Sequence, residues 1–276
     1  MPLYQVVVLS IIQALTEFAP VSSSAHLALA PWLFGWKDPG LTFDVALHFG
    51  TLLAIIIYFF RDWVQIIGQG LGMSAGSDPQ LKQNRALLWL IAVASIPIGV
   101  IGYLFNKQAE TTWRSPYLIG AMLILIALLM WMAERKSAGN KPMSQISWGD
   151  GLAIGIAQAL AVVPGTSRSG ITITAGLFRG LNRETAARFS FLLSAPAIAA
   201  AALKKYWDIH KHGGIPADMK TPFVVGILLS AVLGALVIAV FLRYLRRNSL
   251  MVFVYYRIVF GIIVIALAPF IRFSAE

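Results

Sequence analysis

The sequence predicts an all-α polytopic membrane protein built as two inverted-topology repeats, each one re-entrant helical hairpin plus three transmembrane helices. Three observations carry that expectation. Of the 276 residues, 58% are apolar and only 12% charged, and the mean hydropathy is +0.74, a composition outside the range of soluble domains. Gln13 to His26, QALTEFAPVSSSAH, aligns with Gln158 to Ile171, QALAVVPGTSRSGI, at an offset of 145 residues, matching QAL to QAL and SSS to SRS. Each copy of that polar turn interrupts an apolar run shorter than the roughly 20 residues a crossing needs.

Taken in order, residues 3 to 15 are apolar until Gln13, Glu17, Pro20 and serines 22 to 24 break the run, so the chain enters the bilayer and turns back. Residues 25 to 35 return to the same face, and GWKDPG closes the hairpin with turn residues. Phe43 to Phe60 is the first crossing, with Asp44 and His48 one helical turn apart near its start. A polar connection over 62 to 85 holds a short surface helix at Trp63 to Leu71. Ala86 to Phe105 crosses back, kinked at Pro97, and Tyr117 to Ala133 crosses a third time. Lys136 to Trp148, rich in Ser, Gly, Asn and Lys, separates a first repeat (1–135) from a second (147–276) within one integral membrane domain spanning 1–276.

The pattern then restarts. Gly149 to Val163 is again too short, PGTSRSG breaks it, and Ile171 to Leu177 returns. Thr185 to Leu203 crosses, with Arg188 one turn after Glu184 in the position of Asp44 and His48. Pro222 to Leu242 and Met251 to Phe270 complete the set, the last carrying Arg257. Three crossings per half is odd, so the second half starts on the opposite face and the repeats are inverted. Both turns then approach the midplane, where non-helical backbone is tolerated only in protein or beside a wet cavity, which implies a shared polar chamber. The distribution of Lys and Arg between the two sets of loops favours termini on the outside.

Composition also excludes several classes. There is no cysteine, hence no disulfide or thiolate metal site, and four histidines without zinc-ligand spacing leave only oxygen-bound metals. The net charge of +10 sits mainly in short connections between apolar runs, where it sets topology, so nucleic acid is not an expected partner. The opening MPLYQVVVLSIIQ has neither a basic leader nor a small-residue cleavage site and is expected to remain in the mature protein.

Glu17, His26, Asp44, His48, Arg168, Arg188 and Arg257 lie in or near membrane segments, where each charge costs about 2.5 to 3.5 kcal/mol on insertion scales. Asp44 with His48 and Glu184 with Arg188, spaced i to i+4, suit structural ion pairs and functional groups equally. Glu17, His26 and Arg168 flank broken helices and suit function. Arg168 offers a planar fork for phosphate, with Ser167, Ser169, Thr172 and the amides of the turn at Gly165 as further donors. On the facing hairpin Glu17 suits a general base or a Mg²⁺ or Ca²⁺ ligand, and His26 a proton shuttle. Ser22, Ser23 and Ser24 suit phosphate ligands, or one of them a nucleophile. Together they point to phosphoryl transfer.

QALTE followed by FAPVSSSAH, then PGTSRSGIT ahead of ARFSFLL, with TFDVALHFG after the first hairpin and YYR in the last span, resembles the bacterial undecaprenyl-diphosphate phosphatase family, also called the bacitracin-resistance family. The resemblance covers nearly the whole chain. It implies a multi-pass enzyme of the bacterial inner membrane that removes one phosphate from the C55 polyprenyl diphosphate, regenerating the carrier lipid of cell-wall synthesis with the help of Mg²⁺ or Ca²⁺. It implies that Glu17 is the key glutamate, His26 the histidine, Ser22 and Ser23 the serine pair and Arg168 the essential arginine. The first acidic position of the paired motif is glutamine here, Gln13, which weakens it as a metal ligand and leaves Glu17 as the obligate group. The expected partners are the polyprenyl diphosphate, the bilayer and a second copy of the chain. A polyprenyl-phosphate transporter or flippase is the rival reading, because inverted repeats with broken helices are also transporter architecture.

Overall fold

A computed structural model describes residues 1–82, 84–136, 139–211 and 214–270. Ser137 and Ala138 of the expected linker, and 271–276 at the end of the expected second repeat, lie outside the described residues. The first half contains α1 (Leu3–Phe18), α2 (Ser23–Leu33), α3 (Leu41–Tyr58), α4 (Phe60–Gly70), α5 (Pro79–Lys82), α6 (Leu87–Leu104), α7 (Asn106–Glu110) and α8 (Pro116–Lys136). The second contains α9 (Trp148–Ala159), α10 (Arg168–Phe178), α11 (Arg183–Lys211), α12 (Ala217–Leu245) and α13 (Met251–Leu267). The protein is all-α; among the described residues three short 3₁₀ turns join these helices, and the only β pairing is one isolated bridge, Lys141 to Leu181.

Five helices, α3, α6, α8, α11 and α12, are long and apolar enough to cross a membrane, which makes this a multi-pass membrane protein. The sixth expected crossing, α13, has 17 residues, at the lower end of the spanning range. Helices α11 and α12 run to 29 residues each, well beyond the apolar stretches expected to cross. Their charged ends, KKYWDIHK and ADMKTP, contain good helix formers, so the coil continues after the apolar run has stopped. On α12, Val224, Leu228, Val232, Leu236 and Val240 are exposed at four-residue spacing, an outward stripe suited to hydrocarbon rather than water.

Packing exchanges partners between the halves. Helix α1 lies on α12 while α9 lies on α6; α3 lies on α12 while α11 lies on α6; α3 also meets α11, and α8 meets α13. Small residues permit the closest approaches. A Cβ on Gly155 of α9 would stand 2.2 Å from the Ala94 carbonyl oxygen of α6, and one on Gly50 of α3 would stand 2.5 Å from the Ile227 carbonyl oxygen of α12.

Neither i to i+4 ion pair that the spacing allows forms. His48 Nδ1 faces the Asp44 backbone oxygen at 2.8 Å, and the Asp44 carboxylate lies 3.9 Å from Arg114. Glu184 pairs with Arg246, and Arg188 donates to both Asp62 and Asp78. Residues one turn apart share a face, and here that face meets other elements whose charges approach head-on, which suits a guanidinium fork better than a neighbour on the same helix. Burial pushes the Asp62 and Asp78 carboxyls up and Arg188 pulls them down; the balance leaves Asp62 above its ordinary value and Asp78 below it.

Candidate active site

Two broken helices form the centre of the molecule. Helix α1 stops at Phe18, where Ala19 turns extended and Pro20 offers no N–H. Ser22, with φ 78°, then starts α2. Helix α9 frays into a 3₁₀ turn over Leu160–Val162 before Pro164, and Ser167, with φ 68°, starts α10. Among the described residues these two serines are the only non-glycine positions with positive φ, and they correspond under the 145-residue offset. Such conformations cost on the order of 1 to 3 kcal/mol and persist only where the surroundings impose them. The local bonds match as well. Ser22 Oγ lies 3.2 Å from Ser24 Oγ, and Ser167 Oγ 3.3 Å from Ser169 Oγ. Ser167 Oγ also accepts from the Gly170 amide, capping α10.

Arg257 of α13, 0% exposed, supplies the imposition. Its Nη1 donates to Pro20 O at 3.1 Å in the first turn. Its Nη2 donates to Gly165 O and Thr166 O, each at 3.0 Å, in the second. Nε reaches Leu123 O of α8 at 3.1 Å. The guanidinium thus satisfies carbonyls that broken helices leave without partners. Ser169 ties the turns together from the other side, its hydroxyl donating to Glu17 O at 3.1 Å.

The Glu17 carboxylate, 8% exposed, collects side chains from both turns. Arg168 Nη2 donates to Oε1. Ser23 Oγ donates to Oε2 at 2.6 Å and Gln13 Nε2 at 3.2 Å, while His48 Nε2 stands 3.3 Å away. Ser23 and Arg168 occupy the same position in the two aligned turns, one residue after the positive-φ serine, and both converge on Glu17. His48 faces oxygens with both nitrogens, the Asp44 carbonyl at Nδ1 and the Glu17 carboxylate at Nε2.

Of the residues singled out in the sequence, Gln13, Glu17, Ser23 and Arg168 therefore meet directly, with Ser22, Ser24, Ser167 and Ser169 in the turns that carry them. Gly165, φ +89°, sits against Ile119, where a Cβ would come within 2.5 Å of backbone oxygen. Two residues point elsewhere. Thr172 Oγ1 donates to Arg168 O and meets Ser190 Oγ at 2.6 Å. His26 turns to α13, with Nδ1 donating to Ser22 O at 2.7 Å, Nε2 accepting from Tyr256 OH at 2.6 Å, and the ring stacked on Phe260. The histidine on Glu17 is His48, whose spacing leaves it open equally to a pair with Asp44 and to the site. Arg257 was also missed; its only signal was an intramembrane arginine with no acid within four residues on its helix.

A buried carboxylate, a hydroxyl bonded to it and an arginine brought from the opposite broken helix define a polytopic membrane protein with a buried acid–hydroxyl–arginine site. The family it falls in is shown by its relatives. Residues 6–263 match the family described as Bacitracin resistance protein BacA, and the chain belongs to that family. It is similar to the undecaprenyl-diphosphatase of Moorella thermoacetica, 48% identical over 96% of this chain and 98% of the relative. It is also similar to that of Pelotomaculum thermopropionicum, 47% identical over 99% of this chain and 100% of the relative.

Arg257→Lys keeps the charge but lacks the fork that reaches both turns. Losing even two charge-assisted bonds predicts a destabilisation of roughly 3 kcal/mol, read as a lowered thermal unfolding temperature in detergent. A lysine variant that unfolds with wild type would show that the carbonyl clamp does not hold the turns.

Proposed function

We propose that the chain is an integral membrane phosphatase that hydrolyses undecaprenyl diphosphate to undecaprenyl phosphate and inorganic phosphate, recycling the cell-wall carrier lipid and conferring bacitracin resistance. The observation that carries this reading is the 2.6 Å bond from Ser23 Oγ to Glu17, beside Arg168. A hydroxyl bonded to a carboxylate is the arrangement of a nucleophile and its base. The names of the relatives supply the substrate.

On this reading Ser23 Oγ attacks the terminal phosphorus as its proton passes to Glu17. The new O–P bond forms as the anhydride P–O bond breaks, and the lipid monophosphate leaves with that electron pair. Water then attacks the phosphoserine, giving up a proton to the site, and inorganic phosphate departs as Ser23 regains its own. Arg168 commits one nitrogen to Glu17, and its remaining donors have no partner among the described residues, which leaves them for phosphate oxygens. Ser22, Ser24, Ser167 and the turn amides at Gly165 complete the cradle, while Thr172 steadies the Arg168 backbone. His48 orients Glu17 and exchanges protons with it. His26 holds the first turn against α13 through Tyr256.

A divalent cation, Mg²⁺ or Ca²⁺, fits the donors present. Gln13 Oε1 is buried beside Glu17 without a hydrogen-bond partner, though no cluster of three His, Cys, Asp or Glu occurs among the described residues. Gln13 and Glu17 would hold the ion, with substrate oxygens filling the rest of its shell. When bound, it neutralises charge on the diphosphate.

The same reading makes the chain one integral domain of two inverted repeats in the bacterial inner membrane, with both termini and the pocket mouth on the periplasmic side. The exchange of packing partners between the halves supports the inverted repeats, and the distribution of Lys and Arg between the two sets of loops supports the side given to the termini. With no native cysteine, single cysteines at Gln108 and Asn140 should react with an impermeant reagent from opposite sides of the membrane. Reaction of both from one side would sink the inverted arrangement.

Glu17→Gln should express normally and release inorganic phosphate from a polyprenyl diphosphate at least a hundredfold more slowly. Activity above about a tenth of wild type, a barrier change under roughly 1.4 kcal/mol, would demote Glu17. Arg168→Lys should resemble Arg168→Ala, folded but inactive, since lysine lacks the bidentate geometry. An active lysine variant beside an unstable alanine variant would make Arg168 a structural partner of Glu17. A wild-type protein that moves the lipid and releases no phosphate would favour the transporter reading.

A further inference from the structure

We propose that a cavity at the end of α4, remote from the catalytic turns, binds the phosphate headgroup of an anionic phospholipid. Glu17 meets α3 near its middle, at His48, whereas α4 follows the C-terminal end of α3, ten residues further on. The cavity, of about 160 Å³, is lined by the loop Gly72–Gly76, by Gln69, and by Lys82 and Arg85. Neither cation is paired with a carboxylate among the described residues. The nearby Asp78 is committed to Arg188 and to the Gln80 amide. Two unpaired cations facing one cavity repel unless an anion joins them.

The loop that forms the cavity is held in shape. Gln65, 2% exposed, brackets Asp78 by donating to its carbonyl at 2.8 Å and accepting from its amide at 3.0 Å. Gln69, 8% exposed, donates to Ala75 O at 3.0 Å. Gly72 and Gly76 adopt φ +85° and +73°, and a loop with left-handed glycines presents backbone amides as well as charge. Buried glutamines that spend their amides on a loop's backbone indicate a preformed cradle.

The neighbouring surface identifies the source of the phosphate. Helix α4 is amphipathic the opposite way round from a soluble helix: Gln65 and Gln69 are buried while Phe60, Val64, Ile67 and Leu71 form an exposed stripe, with Met73 beside it. An apolar stripe at the rim of a basic cavity is the pattern of a helix lying in the membrane interface, acyl chains over the stripe and headgroup in the cavity. A soluble phosphate would use the cations but not the stripe.

The test is lipid binding to the full chain in detergent by native mass spectrometry, with phosphatidylglycerol, phosphatidylcholine or inorganic phosphate added. Wild type should retain phosphatidylglycerol over phosphatidylcholine, and Lys82→Gln/Arg85→Gln should weaken that retention about tenfold. Lys204→Gln/Lys220→Gln, which removes two exposed charges elsewhere, should leave it unchanged. Equal retention by wild type and the Lys82/Arg85 variant would overturn the site, and displacement of the lipid by millimolar inorganic phosphate would overturn the lipid as its ligand. Binding is read without turnover, so the result stands apart from the phosphatase reading; the variant should hydrolyse substrate like wild type.

Discussion

One buried guanidinium sets the geometry on which the rest of the centre depends. Breaking a helix inside a membrane exposes carbonyls where no water can reach them, and each unsatisfied group is expensive. Arg257 answers that constraint for both broken helices at once, with bonds to Pro20 in one turn and to Gly165 and Thr166 in the other. Its charge has no carboxylate among these partners; backbone dipoles take that place. Because one side chain reaches both turns, their separation is fixed by the reach of a single fork rather than by the looser packing of whole helices.

That framework is nearly symmetric, and the chemistry on it is not. The two turns share a positive-φ serine, a serine–serine contact two residues apart and a helix start at the same aligned position. Ser23 and Arg168 then place a hydroxyl and a guanidinium at matching points, while Glu17 aligns with Val162, so only one carboxylate serves the pair. Two matching turns that carry one acid, one hydroxyl and one cation give a polar centre with a direction. Such a centre suits a bond-breaking step, in which charge moves from base to phosphorus to leaving group, better than it suits passage of an unchanged solute. The Arg168 to Glu17 contact suits a resting state in which the arginine stabilises the buried acid until phosphate competes for its fork.

Much of this was legible in the sequence because it rests on local chemistry. Interrupted apolar runs, prolines and serine clusters marked the broken helices, and the aligned QAL segments led to the two turns that share a positive-φ serine. Helix ends were less legible, since hydropathy records where the apolar run stops and not where the coil does, as the long α11 and α12 show. Pairings between distant elements were least legible. His26 follows Ser23 by three residues yet faces Tyr256, and His48, distant in sequence, reaches Glu17. Which face of a helix meets which neighbour depends on packing, and sequence proximity does not report it. Arg257 belongs to the same class: its partners are backbone carbonyls, which leave no trace in residue identity.

The most direct test of the account is a structure of the protein with a non-hydrolysable polyprenyl methylenediphosphonate bound. The account predicts the terminal phosphonate between the turns, with its oxygens about 3 Å from the Arg168 guanidinium and its phosphorus within roughly 3.5 Å of Ser23 Oγ. A headgroup lodged elsewhere, with Arg168 and Ser23 still bound only to Glu17, would contradict it.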